Sequence, residues 1–184
     1  DATRKGLSPL WKQWYDSQDS SYNYKNYMYQ REKGFDCSGF VGWAAYQVMH
    51  SKSGEGEGYT VVSGEVGPSY RSRGWGTTLS VADIKKSNYT LKAGHTWIVL
   101  GQCSDKSLVI VHSTPNAGCQ ISGTTTPGGN GDSQAVALAR EYMSRYNGFY
   151  KYDYHTCAGL ESYFVNGNYF RWNSNTLSDP DGYK

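Results

Sequence analysis

The sequence predicts an α+β domain in which helices pack against a small antiparallel sheet. Three patterns lead to this prediction. An apolar run of helical character, residues 41–49, follows a polar capping segment. Residues 95–122 form β-rich runs that are separated by turn residues, a pattern typical of an antiparallel meander. Residues 134–146 have the composition and period of an amphipathic helix.

Length, charge and hydropathy limit the class of protein. A chain of 184 residues is long enough to bury a hydrophobic core, and we predict a single domain over residues 1–184. The net charge of +2 is too small to indicate a nucleic-acid partner. No run of 18 apolar residues occurs, which predicts no membrane span. We expect a mature or excised piece, from which any signal peptide has been removed.

The first third of the chain is rich in polar and aromatic residues. Ser8 is a candidate N-cap, with Pro9 in the first turn, for a short amphipathic helix to about residue 17. Residues 20–33 form a Tyr-rich loop that includes Tyr27. A phenol close to a nucleophile could donate to an oxyanion, although tyrosines more often serve to pack their rings. The glycine-rich residues 64–78 are interpreted as a groove-lining loop.

The segment from residue 35 to residue 40 has the features of a nucleophile site. Asp36 is the natural N-cap of the helix that follows, which we expect to run to about His50. Cys37 then lies in the first turn, where unsatisfied N–H groups and the helix dipole favour a thiolate. The alternative is a Cys that packs as a small hydrophobe. The polar neighbours Asp36 and Ser38 argue against that alternative.

Two histidines lie at the ends of adjacent predicted strands. His95 opens the first strand of the meander, and His112 closes the second. The start of one strand and the end of the next meet at the same edge of a hairpin, so the two imidazoles are expected to be neighbours. One His would take the proton from Cys37, and the other would fix the orientation of the first. Together with the capped cysteine, this pair favours a catalytic site over two isolated polar residues.

The C-terminal third is predicted from turn and helix signals. Residues 123–132 form a surface loop, and the following helix places Leu138 and Tyr142 among its inward residues. Residues 163–172 are predicted to form a hairpin. If Cys37 is a reactive thiol, three cysteines remain, so they cannot all pair internally. A disulfide between Cys119 and Cys157 is one possibility.

The motif and the order of these residues resemble those of the NlpC/P60 cysteine peptidases. Asp36-Cys37-Ser38-Gly39-Phe40 matches the family's Asp-Cys-Ser-Gly-Phe/Leu motif. Gly94-His95 leads an apolar strand, as does the family's Gly-His pair, and His112 takes the place of its third polar residue. The resemblance covers roughly residues 27–122. We therefore place the core of the domain at about residues 22–122 and a C-terminal extension at residues 123–184.

The resemblance implies a papain-like α+β fold, with the catalytic Cys at the N-terminus of a helix that packs on a small antiparallel sheet. It implies Cys37, His95 and His112 as the catalytic residues, with no metal and no cofactor. Tyr27 is the nearest match to the family's Tyr-x-Trp-Gly-Gly segment and is expected at the oxyanion. The expected oxyanion and substrate-binding set also includes three further residues: Asp36, Ser38 and Trp97, the last in place of the family's small residue beside the His.

The resemblance also implies an activity and a partner. The expected reaction is hydrolysis of amide bonds in bacterial peptidoglycan stem peptides, commonly beside D-γ-glutamyl. The protein would be secreted or associated with the cell wall and monomeric. Two alternatives remain open: a papain-like enzyme that cleaves another bond, such as a CHAP-type N-acetylmuramoyl-L-alanine amidase, and a non-catalytic wall-binding module that uses its aromatic residues. A toxin delivered between bacteria would use the same chemistry.

Overall fold

The chain folds into a mixed α+β structure, which confirms the predicted α+β class. The computed structural model describes residues 11–23, 35–49, 61–79, 88–92, 94–114, 118–145 and 168–173. Within these ranges the helices are α1 (Trp11–Asp16), α2 (Cys37–Met49), α3 (Val66–Ser72) and α4 (Gln134–Ser144), with a 3-10 turn at Ser63–Glu65 before α3. The strands are β1 (Gly76–Leu79), β2 (Asn88–Lys92), β3 (His95–Gln102), β4 (Leu108–Thr114), β5 (Gly118–Gly123) and β6 (Asn168–Trp172).

The six strands form one antiparallel sheet in the order β1-β6-β2-β3-β4-β5. Strands β3, β4 and β5 are consecutive in sequence and adjacent in space, so the predicted meander is confirmed. β6 comes from the C-terminal region, yet it lies between β1 and β2. Residues from the predicted C-terminal extension therefore form an interior strand of the sheet.

Two apolar clusters lie on opposite faces of the sheet, because successive residues of a strand point to opposite sides. The first cluster joins α2 and α3 to the sheet. Its buried members are Val41, Ala45, Tyr46, Val66, Tyr70, Phe170 and Trp172, with Ile98 of β3 packed against them. The second cluster contains Trp97, Val99, Leu108, Ile110 and Tyr169. Helix α2 contacts β3 and β4, the two strands that carry His95 and His112. It thus covers the sheet on the side of the first cluster.

Asp105 lies in the turn between β3 and β4 and connects this turn to the start of α4 by hydrogen bonds. Its carboxylate accepts hydrogen bonds from the backbone N–H groups of Ser107, at 3.0 Å, and Gln134, at 2.8 Å. The hydroxyl of Ser133 caps the same helix by accepting from the N–H of Val136 at 3.1 Å. These contacts satisfy N–H groups that a helix start otherwise leaves without partners. They also fix the register of the hairpin at the end opposite to the two histidines.

Several predictions of local structure need correction. The expected groove-lining loop at residues 64–78 contains α3 and β1 instead. This helix forms because Val66 and Tyr70, four residues apart, are both fully buried in the first cluster, and tertiary packing overrides the glycine-rich composition. In α4, Tyr142 is 43% exposed, and the inward position belongs to Met143. The loop predicted at residues 123–132 buries Thr124 and Thr125.

Other predictions are confirmed, are wrong or lie outside the described ranges. The short N-terminal helix is present as α1, while its proposed capping residues are outside the description. His50 and residues 163–167 also lie outside the description. Residues 168–172 form β6, but its two neighbours are β1 and β2, so the hairpin predicted at residues 163–172 is wrong. No helix in the described part of the chain is both long enough and apolar enough to cross a bilayer.

Candidate active site

Helix α2 begins as the motif predicts. The Asp36 carboxylate accepts a hydrogen bond from the Gly39 backbone N–H at 2.6 Å and another from the Ser38 hydroxyl at 3.1 Å. The Asp36 carbonyl accepts from the Phe40 N–H at 2.9 Å. Asp36 is therefore the N-cap, and Cys37 is the first residue of the helix.

The chain entering α2 is anchored to the sheet. The hydroxyl of Ser113 on β4 donates to the carbonyl oxygen of Phe35 at 2.6 Å. The ring of Phe35 also packs against the ring of Trp43 on α2, with the ring centroids 5.6 Å apart. Because Phe35 is two residues before Cys37, these contacts hold the first turn of α2 against the end of β4.

Cys37, the first residue of α2, lies beside the start of β3. Its sulfur accepts from the backbone N–H of Thr96, which belongs to the peptide bond between His95 and Thr96. The β3–β4 ladder begins only at the pair Ile98–Val111, so the strand ends that carry the two histidines extend beyond it. The cysteine and both histidines thus come from one edge of the structure.

The protonation of Cys37 reflects two opposing effects. Burial is the larger one, and it raises the pKa of the thiol, with the Asp36 carboxylate acting in the same direction. The N–H groups of Thr96, Ser38 and Cys37 itself lower the pKa. The helix start provides the expected donors, but burial outweighs them, so the expectation that the helix position alone favours the thiolate is corrected. A thiol in this environment requires a base to become a nucleophile.

The two histidines form the pair that the hairpin geometry predicts. Nε2 of His95 lies 2.9 Å from Nδ1 of His112, and the ring centroids are 5.2 Å apart at an interplanar angle of 61°. His95 is half-buried, whereas His112 is 1% exposed. The more exposed imidazole is therefore the one available for chemistry, and the buried one supports it.

A polar chain continues from His112 into the sheet. Nε2 of His112 lies 2.9 Å from the Ser122 hydroxyl oxygen, which accepts from the Gln120 side-chain amide at 2.9 Å. Gln120 pairs directly with His112 across the β4–β5 ladder, and both it and Ser122 are buried. Burial, followed by the charge of His95, lowers the pKa of His112 to about 3. His112 is thus neutral at physiological pH.

Trp97 does not occupy the position expected of a substrate-binding residue. It has no exposed surface and belongs to the second apolar cluster. Its ring lies beside that of His95, with centroids 5.7 Å apart and an interplanar angle of 35°. Trp97 is two residues after His95 on β3 and packs among apolar side chains. The prediction is therefore corrected: Trp97 supports the His95 ring and does not line a groove.

The remaining predicted residues have different outcomes. Ser38 is half-buried and hydrogen-bonded to the cap of α2. Tyr27 lies outside the described residues. Cys157 lies outside the described residues, and with it the disulfide considered between Cys119 and Cys157. Within the described ranges, no group of three or more His, Cys, Asp or Glu side chains is arranged to hold a metal ion.

Sequence reasoning missed the polar chain behind His112. The available signal was the alternation on β5, where Gln120 and Ser122 share one face. When a strand has two polar residues on one face and its neighbouring strand is otherwise apolar, a buried polar group is expected on that neighbouring strand. The hydrogen bonds from the Thr96 N–H to Cys37 and from the Ser113 hydroxyl to Phe35 have no such signal in the sequence, because both depend on how α2 packs on the sheet.

Comparison of the chain with models of known protein families finds no match, and comparisons with curated proteins and with solved structures also find none.

Proposed function

We propose that this protein is a cysteine peptidase of the NlpC/P60 type, with a papain-like arrangement, that hydrolyses amide bonds in peptidoglycan stem peptides beside D-γ-glutamyl. The observation that carries the proposal is the 2.9 Å contact between His95 Nε2 and His112 Nδ1, with the Cys37 sulfur on the adjoining Thr96 N–H. In this proposal Cys37 is the nucleophile, His95 is the base, and His112 is the group that orients the base, which is the order of the motif along the chain.

The proposed reaction begins with proton transfer. Nε2 of His95 is engaged by His112, so Nδ1 takes the proton from the Cys37 thiol. Because burial raises the pKa of that thiol, the transfer to His95 is what makes the sulfur nucleophilic. The thiolate then attacks the substrate carbonyl carbon, and a carbon–sulfur bond forms as negative charge moves to the oxygen.

Collapse of this intermediate breaks the carbon–nitrogen bond. The His95 imidazolium gives its proton to the leaving amine, and a thioester remains on Cys37. Water then loses a proton to His95 and attacks the thioester, which releases the acid and restores the thiol. The Cys37 backbone N–H and, by the resemblance, Tyr27 are the proposed oxyanion donors; loss of one such donor typically costs about 2.7–4 kcal/mol.

The substrate assignment rests on the motif rather than on a pocket. Asp36-Cys37-Ser38-Gly39-Phe40 at a capped helix start, followed by the paired histidines, supports wall-peptide chemistry and with it a secreted or wall-associated location. Peptidoglycan is then the partner, and the protein acts as a monomer without a cofactor. The nearest competing reaction, hydrolysis of the bond between muramic acid and the stem peptide, uses the same side chains.

Digestion of purified peptidoglycan tests this proposal. The wild type is compared with Cys37→Ala and with Cys103→Ala, which removes a half-buried thiol in the turn between β3 and β4. We expect fragments cut beside D-glutamate from the wild type and from Cys103→Ala, and none from Cys37→Ala. Release of intact stem peptides would instead identify an amidase. Wall binding without cleavage by any of the three proteins would contradict an enzymatic role.

A further inference from the structure

The polar chain behind His95 contains no charged group among its inner members. His112, Ser122 and Gln120 are all buried, and burial disfavours a charge on any of them. The titratable group that faces His112 from β3 is His95, and α2 brings Cys37 and Asp36 to the same edge. From β5 come the Ser122 hydroxyl and the Gln120 amide, and the Cys119 thiol on the same strand is hydrogen-bonded to Ser113. An orienting carboxylate could only accept hydrogen bonds, but each member of this chain can both donate and accept.

The chain can therefore run in two directions. In the first, the Gln120 amide donates to Ser122, and the Ser122 hydroxyl donates to Nε2 of His112. Nδ1 of His112 then carries the proton and donates to Nε2 of His95. A neutral His95 in this arrangement has its own proton on Nδ1, the atom that the proposed reaction needs as a proton acceptor. This direction leaves His95 unable to act as the base.

The second direction reverses every hydrogen bond. Nε2–H of His95 donates to Nδ1 of His112, and Nε2–H of His112 donates to Ser122. The Ser122 hydroxyl then donates to the Gln120 carbonyl oxygen, which requires the amide to rotate by half a turn; amide orientation is assigned from the hydrogen-bond network. His95 now has a lone pair on Nδ1 and can accept the thiol proton, or it can carry both protons as the imidazolium.

We propose that Ser122 and Gln120 are positioning residues whose hydrogen-bond direction selects the His112 tautomer and thereby decides whether His95 can act as a base. This inference rests on the proposed function for its catalytic meaning, but the tautomer change itself does not depend on the substrate. His112 stays neutral throughout and changes only which nitrogen holds its proton. Ser122 is the critical member, because it is the hydroxyl that must donate in one direction and accept in the other.

Nitrogen NMR of the imidazole rings tests the inference in the wild-type protein, with the His112 signals assigned by their loss in His112→Gln. Where His95 is the imidazolium, we expect His112 to be neutral with its proton on Nε2. As the pH rises and His95 becomes neutral, the Nδ1–H form of His112 gains population. A His112 ring that keeps one tautomer across this range, or that itself becomes an imidazolium there, would overturn the inference.

A variant pair connects the tautomer to reactivity. Ser122→Ala removes the hydroxyl that accepts from Nε2–H of His112, and the loss of a hydrogen bond to a buried donor is costly. His112 should then remain in the Nδ1–H form, which disfavours the His95 imidazolium. The acid limb of the pH–rate profile for peptidoglycan cleavage, where His95 loses its proton, should therefore move down by about one pH unit, and the rate on the plateau should fall. Ser107→Ala is the control, since it removes another fully buried, hydrogen-bonded hydroxyl at the opposite end of β4.

The two readouts separate this inference from the proposed function. If Ser122→Ala moves neither the tautomer nor the pH limb relative to Ser107→Ala, the inference is wrong. Ser122→Thr keeps the hydroxyl and should restore the wild-type tautomer pattern. If the wild type shows the tautomer change but cleaves no peptidoglycan, the hydrogen-bond inference holds and the proposed function fails.

Discussion

The buried position of His112 makes the stability of the fold depend on pH. In the folded protein its pKa falls from the ordinary 6.5 to about 3, with burial as the main cause. Below the ordinary value the unfolded chain binds a proton that folded His112 does not bind. The contribution is thus fully present above about pH 6.5 and is lost as the pH falls toward about 3. Across the whole range the loss is on the order of 5 kcal/mol, at about 1.36 kcal/mol per pKa unit.

Urea unfolding of the wild type and of His112→Gln, measured from about pH 7 to about pH 5, tests this reasoning. The variant lacks this titrating ring, and the pH effects of the ionisable groups that do not contact His112 cancel in the comparison. Between those two pH values the wild type should lose about 2 kcal/mol more unfolding free energy than the variant. Two stability curves that stay parallel would refute the assignment of His112 as a buried neutral ring.

Three further predictions concern the helix start and the contact of α4 with the sheet. Asp36→Ala should lower the unfolding free energy by about 1 kcal/mol, because it removes the cap on the Gly39 N–H. Asp36→Asn should keep the cap and remove the charge that raises the pKa of Cys37, so iodoacetamide should alkylate Cys37 at lower pH; an unchanged profile would contradict this electrostatic effect. Gly123→Ala should destabilise by about 1–3 kcal/mol in thermal or urea unfolding, because its Cβ would lie 2.2 Å from backbone atoms of the start of α4. Gly101→Ala is the matched control, since nothing lies within 4 Å of its Cβ, and equal losses for the two variants would contradict this packing.

Local signals in the sequence were sufficient for the elements that carry the candidate site. The cap at Asp36 and the helix after it are encoded within a few residues, and so are the turn and alternation that define the β3–β4 hairpin. Hairpin geometry then brings His95 to His112 without any knowledge of the remaining fold. This is why the sequence alone could predict the pair.

Features that depend on distant residues were not predictable in the same way. α3 exists because Val66 and Tyr70 are buried against β6, a strand that lies about a hundred residues further along the chain. Trp97 was expected to bind substrate because the resemblance places it beside the His, and a strand pattern does not say which residues the folded sheet covers. The role of Ser122 required the register of β5 against β4, which follows from the folded sheet.

The central claim is that His95 activates Cys37, and the pH dependence of Cys37 alkylation tests it most directly. Wild type and His95→Gln are treated with iodoacetamide over a range of pH, and modification at Cys37 is followed by peptide mass analysis. Because burial raises the pKa of this thiol, we predict that wild-type Cys37 reacts at neutral pH only with the help of His95, and that the variant reacts only under alkaline conditions. Identical profiles for the two proteins would contradict the account.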